Sequence, residues 1–371
     1  MSNIKSPYRY DHVGSFLRPE ELKQARKDFK AGKVSREELT AIEDKAITAL
    51  VEKQKKAGFH IITDGEYRRE FWHLDFMWGF EGVAHENTGS GVQFSGELAA
   101  LDDTYLVGKI KAAPHPFVEY FKFLKRFEDE QTVAKYTIPA PAQTFQQMIV
   151  PQNIEQTRKF YSTNEELIQD IGAAYQAVIK QFYDAGCRDL QLDDCTWGAV
   201  VGDAAKQRYE SLGIDIEDVK KQLLEVNNLA LANKPADMVI TSHICRGNYH
   251  STYFTSGSYD SVADYVFAHE NVDALLLEYD DERSGGFEPL AKVSPDKKVV
   301  LGLITSKTPE LEDKQAVIAR IHEAAKFIPL ERLCLSPQCG FASCEIGNKL
   351  TEQEQWAKLA LVKEIAEEVW R

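Results

Sequence analysis

The sequence predicts an α/β chain of the (β/α)8, or TIM, barrel class with an insertion between strands 2 and 3. Three observations carry this prediction. Eight short apolar runs recur along the chain, stretches of helical period fill most of the gaps, and reactive side chains collect at the C-terminal ends of the runs. Strands that alternate with helices pair in parallel through right-handed crossovers, and eight such units close on themselves. An open doubly wound sheet is the competing architecture, but no Gly-rich phosphate turn follows the first run.

Taken in order, strands are expected at 11–16, 58–64, 135–141, 188–193, 238–245, 274–279, 299–305 and 332–337. Helices are expected at 36–57, 164–185, 216–233, 261–270, 310–327 and 351–370. Length alone would favour two or three domains, yet α/β barrels commonly exceed that prior as single units, so 1–371 reads as one catalytic domain. Residues 80–134 are too long for an ordinary connection. Within them, 91–96 and 104–109 predict a hairpin, followed by a helix near 116–128. Such an excursion at the mouth of a barrel is either a lid or a passive surface insertion.

Charge and composition exclude several classes. A formal net charge of -14 argues against a nucleic-acid backbone or an anionic membrane as main partner. It leaves room for a local basic pocket that takes a small anion. No run approaches the roughly 20 apolar residues that cross a bilayer, and the first eight residues lack the apolar core of a signal peptide. Six cysteines in a chain this long do not form a disulfide framework. A reduced, soluble, cytoplasmic protein is expected.

The candidate chemistry starts at His243 and Cys245. Residues i and i+2 of a strand face the same side, so imidazole and thiolate can converge on one ion. Glu278 closes the run at 274–277, and Cys339 follows the run at 333–338. Two thiolates, an imidazole and a carboxylate suit Zn2+ rather than magnesium or calcium. Zinc lowers the pKa of an incoming thiol, and a zinc thiolate remains nucleophilic, so alkylation of that sulfur is the expected reaction. Four protein ligands also describe a closed structural site, but structural sites favour close Cys pairs, whereas these ligands come from three separate runs. A hydrolytic zinc site is disfavoured, because two thiolates and a carboxylate make the metal too electron-rich to activate water.

Other groups stand at strand ends. Ser15 follows the first run, Asp64 and Glu66 the second, and Asp193 and Asp194 the fourth. The charges around Glu66, taken alone, favour a solvated loop over a site. The acidic pair fits either an ammonium-binding site or a helix N-cap. Cys187 and Cys334 read as small buried hydrophobes, and so do Cys195 and Cys344, with a reserve for their position near the mouth. His12 and His73 are further candidates.

Together, 13–16 (Val-Gly-Ser-Phe), 64–66 (Asp-Gly-Glu), 190–194 (Leu-Gln-Leu-Asp-Asp), 243–245 (His-Ile-Cys), Glu278 and 336–340 (Ser-Pro-Gln-Cys-Gly) resemble the C-terminal catalytic barrel of cobalamin-independent methionine synthase. The resemblance spans nearly the whole chain. It implies transfer of a methyl group from 5-methyltetrahydrofolate to zinc-bound homocysteine. It also implies that His243, Cys245, Glu278 and Cys339 are the metal ligands, that Gly14 and Ser15 hold the amino-acid carboxylate, and that Glu66 and Asp193 hold its ammonium group. Small-molecule substrates are the implied partners.

Three departures concern the donor. The family's second, N-terminal barrel has no counterpart here. The family's Thr-Gly-Pro-Val-Thr corresponds to 139–143 (Pro-Ala-Pro-Ala-Gln), without the tryptophan that follows it. Trp72, Trp78 and Trp197 are candidate replacements, and core packing is the plainer reading of each. The family's His-Ser-Pro corresponds to 307–309 (Lys-Thr-Pro), which sets Lys307 in place of the histidine assigned to proton delivery. The acceptor half is therefore intact and the donor half altered. A corrinoid donor on a methyl-carrier protein, a different acceptor thiol and a non-catalytic thiol- or metal-binding protein are the alternatives.

Overall fold

The computed structural model describes residues 4–89 and 91–371. Its strands are β1 (Ile61–Ile62), β2 (Glu81–Glu86), β3 (Gly91–Gln93), β4 (Leu98–Ala100), β5 (Asp103–Lys111), β6 (Val133–Pro139), β7 (Asp189–Asp193), β8 (Val239–Ile244), β9 (Ala274–Glu278), β10 (Lys298–Ile304) and β11 (Leu333–Pro337). Seven of them form one curled sheet in the order β1-β6-β7-β8-β9-β10-β11, and every pairing in it is parallel. This is a mixed α/β fold with helices between the sheet strands.

Six of the eight expected strands fall within two residues of their observed bounds, and the second shrinks to Ile61–Ile62. The expected first strand is not a continuous strand. Instead 10–15 makes isolated bridges, Tyr10 to Leu335 of β11 and Ser15 to Gly65 beyond β1. The reason lies in its carbonyls, which are bonded by side chains. Lys135 Nζ donates to His12 O at 2.5 Å, Gln191 Nε2 to Val13 O at 2.6 Å, and Thr63 Oγ1 to Gly14 O at 2.7 Å. Those bonds replace a ladder, and the two bridges link the outer strands of the sheet.

Gly14 has a φ of +142°, and a Cβ there would stand 2.7 Å from Thr137 Cγ2. Gly14→Ala is therefore expected to cost about 2–3 kcal/mol, from backbone strain and overpacking together. The midpoint of urea unfolding should fall accordingly, with the slope unchanged.

The insertion pairs differently from expectation. Residues 104–109 lie in β5 and pair antiparallel with β2, while β3 turns back on β4. Gly96 at φ +90° supplies the left-handed turn for the small hairpin. Its tip docks over the C-terminal ends of the sheet strands: Ser95 N donates to Tyr253 O at 2.9 Å, and Phe94 packs against Tyr249 and Phe254. A helix at Pro116–Lys125 follows, with Pro at its first turn, where its missing N–H costs nothing.

The long helices begin where capping chemistry allows. Ser35 with Glu38, and Thr351 with Glu354, form reciprocal capping boxes at the starts of Arg36–Lys56 and Glu352–Val369. The helix expected at 310–327 is Lys314–Ala324, because Asp313 caps it by accepting from Ala316 N at 2.8 Å. The stretch 261–270 splits into Asp260–Ala263 and Val266–His269. Helices Glu20–Lys30, Pro141–Ile149 and Gly202–Ser211 were not expected.

Alternation along the strands sorts the core. Leu275 and Leu277 join the main apolar cluster, while Leu276 packs with Val13, Val300 and Cys334 in a separate one. Leu276, Val300 and Cys334 are register neighbours, so they share one face of the sheet. His243 is paired with Leu276, and Asp193 with His243. The same face thus carries Asp193, His243 and Glu278 toward the C-terminal strand ends. Among the described residues no helix is long and apolar enough to cross a membrane.

Candidate metal and substrate site

A cavity of about 970 Å³ opens at those strand ends. Ser15, Glu66, Asp193, His243, Cys245 and Cys339 all line it. The ring nitrogens of His243 and the sulfurs of Cys245 and Cys339 offer ligand atoms within 4.8 Å of one another, and all three residues are buried. Among the described residues, neither nitrogen of His243 has a hydrogen-bond partner. A buried imidazole without partners is costly, and a cation at this position would satisfy it. The thiols point the same way. Cys245 is pushed well above its ordinary pKa by the neighbouring Cys195 thiol and by burial, and Cys339 is pushed up by Cys245 and by burial. Crowded sulfurs that cannot all ionise alone are what a bound cation stabilises as thiolates.

Glu278 stands beside this group without being part of it. The ladder pairs Ile244 with Leu277, which sets Cys245 next to Glu278. Its carboxylate accepts from Arg246 N at 2.8 Å and from Arg283 Nη2 at 3.3 Å, and lies 4.0 Å from Lys307 Nζ. Burial opposes its charge, but Lys307 and the Arg246 amide outweigh burial and hold its pKa below the usual carboxylate value. Lys307 is buried, faces Glu278 and Asp280, and is not among the residues lining the cavity.

The second half of the site is acidic. Glu66 sits in an unusual turn, with φ of +62° directly after Gly65 at +69°. Arg18 clamps this turn by donating to Glu66 O at 2.9 Å and Arg69 O at 3.1 Å, and its other nitrogen reaches Ala342 O at 3.0 Å beyond Cys339. The sequence carried no visible signal for that arginine. Thr137 Oγ1 donates to Glu66 Oε1 at 2.8 Å, and Arg69 Nη1 lies 3.5 Å from the same oxygen. Among the described residues, Glu66 Oε2 has no hydrogen-bond partner. Asp193 accepts from Gln191 Nε2 at 2.7 Å. Burial raises the pKa of both acids, and Glu66 raises Asp193 further. Two buried acids that oppose each other's charge are stabilised by a cationic guest.

The remaining candidates separate cleanly. Ser15 Oγ accepts from Ala342 N at 3.2 Å, and Gly340 is packed so closely that a Cβ there would fall 1.9 Å from it. Asp194 is not in the cavity. It accepts from Thr196 N at 3.0 Å, at the start of Thr196–Ala199, and from Asn227 Nδ2 at 2.7 Å. His73 lines the cavity, and burial lowers its pKa to about 3, so it is neutral. His12 packs below, with Nε2 3.1 Å from Ile61 O. Trp72 lines the cavity, whereas Trp197 is fully buried and Trp78 stacks on His85. Cys187 and Cys334 are buried, while Cys195 and Cys344 line the cavity. Asn248 carries no distinguishing signal in the sequence; its amide donates to Gly340 O at 2.7 Å and so fixes the turn after Cys339.

Fold and site define a class: an α/β protein with a His-Cys-Cys group placed so that it could hold a metal ion and two buried acids in one cavity at the ends of parallel strands. The chain belongs to the cobalamin-independent synthase family, catalytic domain, whose model matches residues 11–114 and 129–368. The uncharacterised protein YxjH of Bacillus subtilis is 45% identical over 368 residues, covering 99% of this chain and 96% of that protein. A methionine synthase of Saccharolobus solfataricus is 25% identical over 366 residues, covering 97% and 95%. Among solved structures, a candidate vitamin-B12 independent methionine synthase from Listeria monocytogenes superposes with a TM-score of 0.78 at 38% identity, covering 100% of both chains. Family and relatives indicate a methyltransferase of the methionine synthase type.

Proposed function

We propose that this protein is a zinc-dependent S-methyltransferase that converts homocysteine to methionine, with a 5-methyltetrahydrofolate-like donor. The observation that carries the reading is the placement of His243, Cys245 and Cys339 in the same cavity as Glu66 and Asp193. An amino acid with a thiol needs both halves at once. The reading takes the parallel sheet and the bridging 10–15 segment as one eight-unit barrel whose mouth is this cavity.

His243, Cys245 and Cys339 would hold the zinc; Glu278, whose carboxylate faces Arg246, Arg283 and Lys307 in this structure, would serve as the fourth ligand only by turning toward that group. When bound, zinc supplies the positive charge that keeps the substrate sulfur a thiolate near neutral pH. Glu66 and Asp193 take the substrate ammonium group, and the turn at Gly14–Ser15 takes its carboxylate. The sulfur is then aimed at the methyl carbon of a donor held in the rest of the cavity, where Trp72 offers the stacking surface. Lys307 is assigned to keeping Glu278 ionised rather than to proton delivery, because its ammonium faces that carboxylate.

Incubation with homocysteine and 5-methyltetrahydrofolate, followed by mass spectrometry of the products, tests the assignment. Methionine formed in proportion to zinc content supports it. No methionine from zinc-loaded protein would refute the donor and turn attention to corrinoid carriers.

A pH dependence follows from the acids. Their raised pKa values mean that each must give up a proton before it can hold an ammonium group. Affinity for methionine, which has no thiol to titrate, should weaken on acidification and recover as pH rises, with the loss setting in above the pH at which ordinary carboxylates protonate. Calorimetry as a function of pH reads the slope, and a flat profile would remove the acids from substrate binding.

A further inference from the structure

Cys195 has no place in the scheme above, yet its sulfur lies 3.3 Å from that of Cys245. We propose that these two cysteines form a redox-controlled pair, in which a peroxide drives a Cys195–Cys245 disulfide and so removes Cys245 from the metal site. The metal-release half rests on the zinc reading; the disulfide half stands on the sulfur contact alone.

The contact follows from the ladder. Asp193 pairs with His243, and Asp194 N donates to His243 O at 2.8 Å. Cys195 and Cys245 each lie two residues further on, so they come opposite one another just past the ends of β7 and β8. Neighbouring strands are about 4.8 Å apart, which lies within the Cα separations of about 4.4–6.8 Å that disulfides span. Closing the sulfurs from 3.3 Å to a bond of about 2.05 Å needs a shift of roughly 1.3 Å, within reach of side-chain rotation.

The two thiols also differ in access. Both line the cavity, but Cys245 is 2% exposed whereas Cys195 is partly exposed. Its turn is pinned from below, since Asp194 accepts from Thr196 N at 3.0 Å and from Asn227 Nδ2 at 2.7 Å. The accessible sulfur is thus held against the buried one. Cys195 is absent from the group of mutually close ligand atoms formed by His243, Cys245 and Cys339, which separates its role from theirs.

The chemistry balances with hydrogen peroxide as oxidant. The Cys195 sulfur attacks the peroxide, an S–O bond forms, the O–O bond breaks, and water leaves with a sulfenic acid behind. The Cys245 sulfur then attacks the sulfenyl sulfur, an S–S bond forms, the S–O bond breaks, and hydroxide leaves; it becomes the second water by taking the Cys245 proton in the metal-free protein, or a solvent proton where Cys245 is a metal-held thiolate. Two thiols lose two electrons and two protons, and one peroxide becomes two waters. A Cys245 held in the disulfide has no thiolate to offer a metal.

The test treats the full-length zinc-loaded protein with hydrogen peroxide. Free zinc is followed with a chromogenic chelator, and disulfides are mapped on alkylated, unreduced peptides. The expected result is a Cys195–Cys245 linked peptide appearing in step with zinc release, both reversed by a dithiol. Cys195→Ser should bind zinc normally and release it at least about fivefold more slowly. A Cys245–Cys339 link instead, no link at peroxide doses that oxidise other thiols, or release from Cys195→Ser at the wild-type rate would each overturn the proposal. If the protein as isolated holds no zinc, the zinc reading fails and the linked peptide alone decides this one.

Discussion

Cys339→Ala is expected to strip the protein of zinc, from about one ion per chain to less than a tenth, and to abolish methyl transfer. The residue follows β11 on a turn fixed by several bonds: Ser306 holds the Gln338 side chain at 2.7 Å, and Asn248 holds Gly340 O at 2.7 Å. A ligand on so constrained a turn cannot be replaced by drift of a neighbour. Ordinary metal sites lose about 10–100-fold in affinity from loss of a supporting group, and loss of a thiolate ligand should exceed that. The fold itself should survive, because removing one small buried sulfur from a large core costs only about 1–2 kcal/mol. Metal analysis beside circular dichroism separates the two effects. Full zinc in Cys339→Ala would take this cysteine out of the metal site.

The second large effect is expected at the acids. Glu66→Gln and Asp193→Asn keep shape and hydrogen bonding but remove the charge that receives an ammonium group. Each should raise KM for homocysteine by about 30–100-fold, equivalent to roughly 2–3 kcal/mol for a charged hydrogen bond in a buried setting. The double variant should cost less than the sum, since both acids serve one guest. Zinc content should not change. Stability should hold or rise in Asp193→Asn, which relieves the opposition of two buried carboxylates, whereas Glu66→Gln also takes a counter-charge from the buried Arg69 and should gain less or lose. Steady-state kinetics with thermal melts would register this split. Unchanged KM in both variants would leave the pair without a substrate role.

The parts of the fold legible in the sequence share one physical cause. Strands buried on both faces read as apolar runs, so 189–193, 239–244 and 274–278 stood out, each with its reactive residue at or just beyond the end. The segment 11–16 did not behave as a strand, because its carbonyls are satisfied by Lys135, Gln191 and Thr63, partners up to 178 residues away. No local pattern announces such bonds. The insertion misled for a similar reason: 104–109 alternates like a hairpin strand, but the sequence does not say that 81–86 is its partner.

The site shows the same division. His243, Cys245 and Cys339 carry chemistry distinctive enough to be picked out by residue type and strand position, and they converge. The environment of Glu278 was not legible, since Arg283 and Lys307 meet it only through the fold. Nor was the contact of Cys195 with Cys245, which needs the register of β7 against β8. Arg18, which ties the Glu66 turn to the loop after Cys339, looks in the sequence like any arginine before a helix.

The central claim is that a zinc ion in this cavity takes the substrate's sulfur as a ligand. Zinc-edge X-ray absorption on the purified protein, with and without homocysteine, tests it most directly. The account predicts one zinc per chain, a shell that contains two sulfurs, and a third sulfur when homocysteine is added. A shell that stays the same with homocysteine, or a protein purified without chelator that holds no zinc, would contradict it.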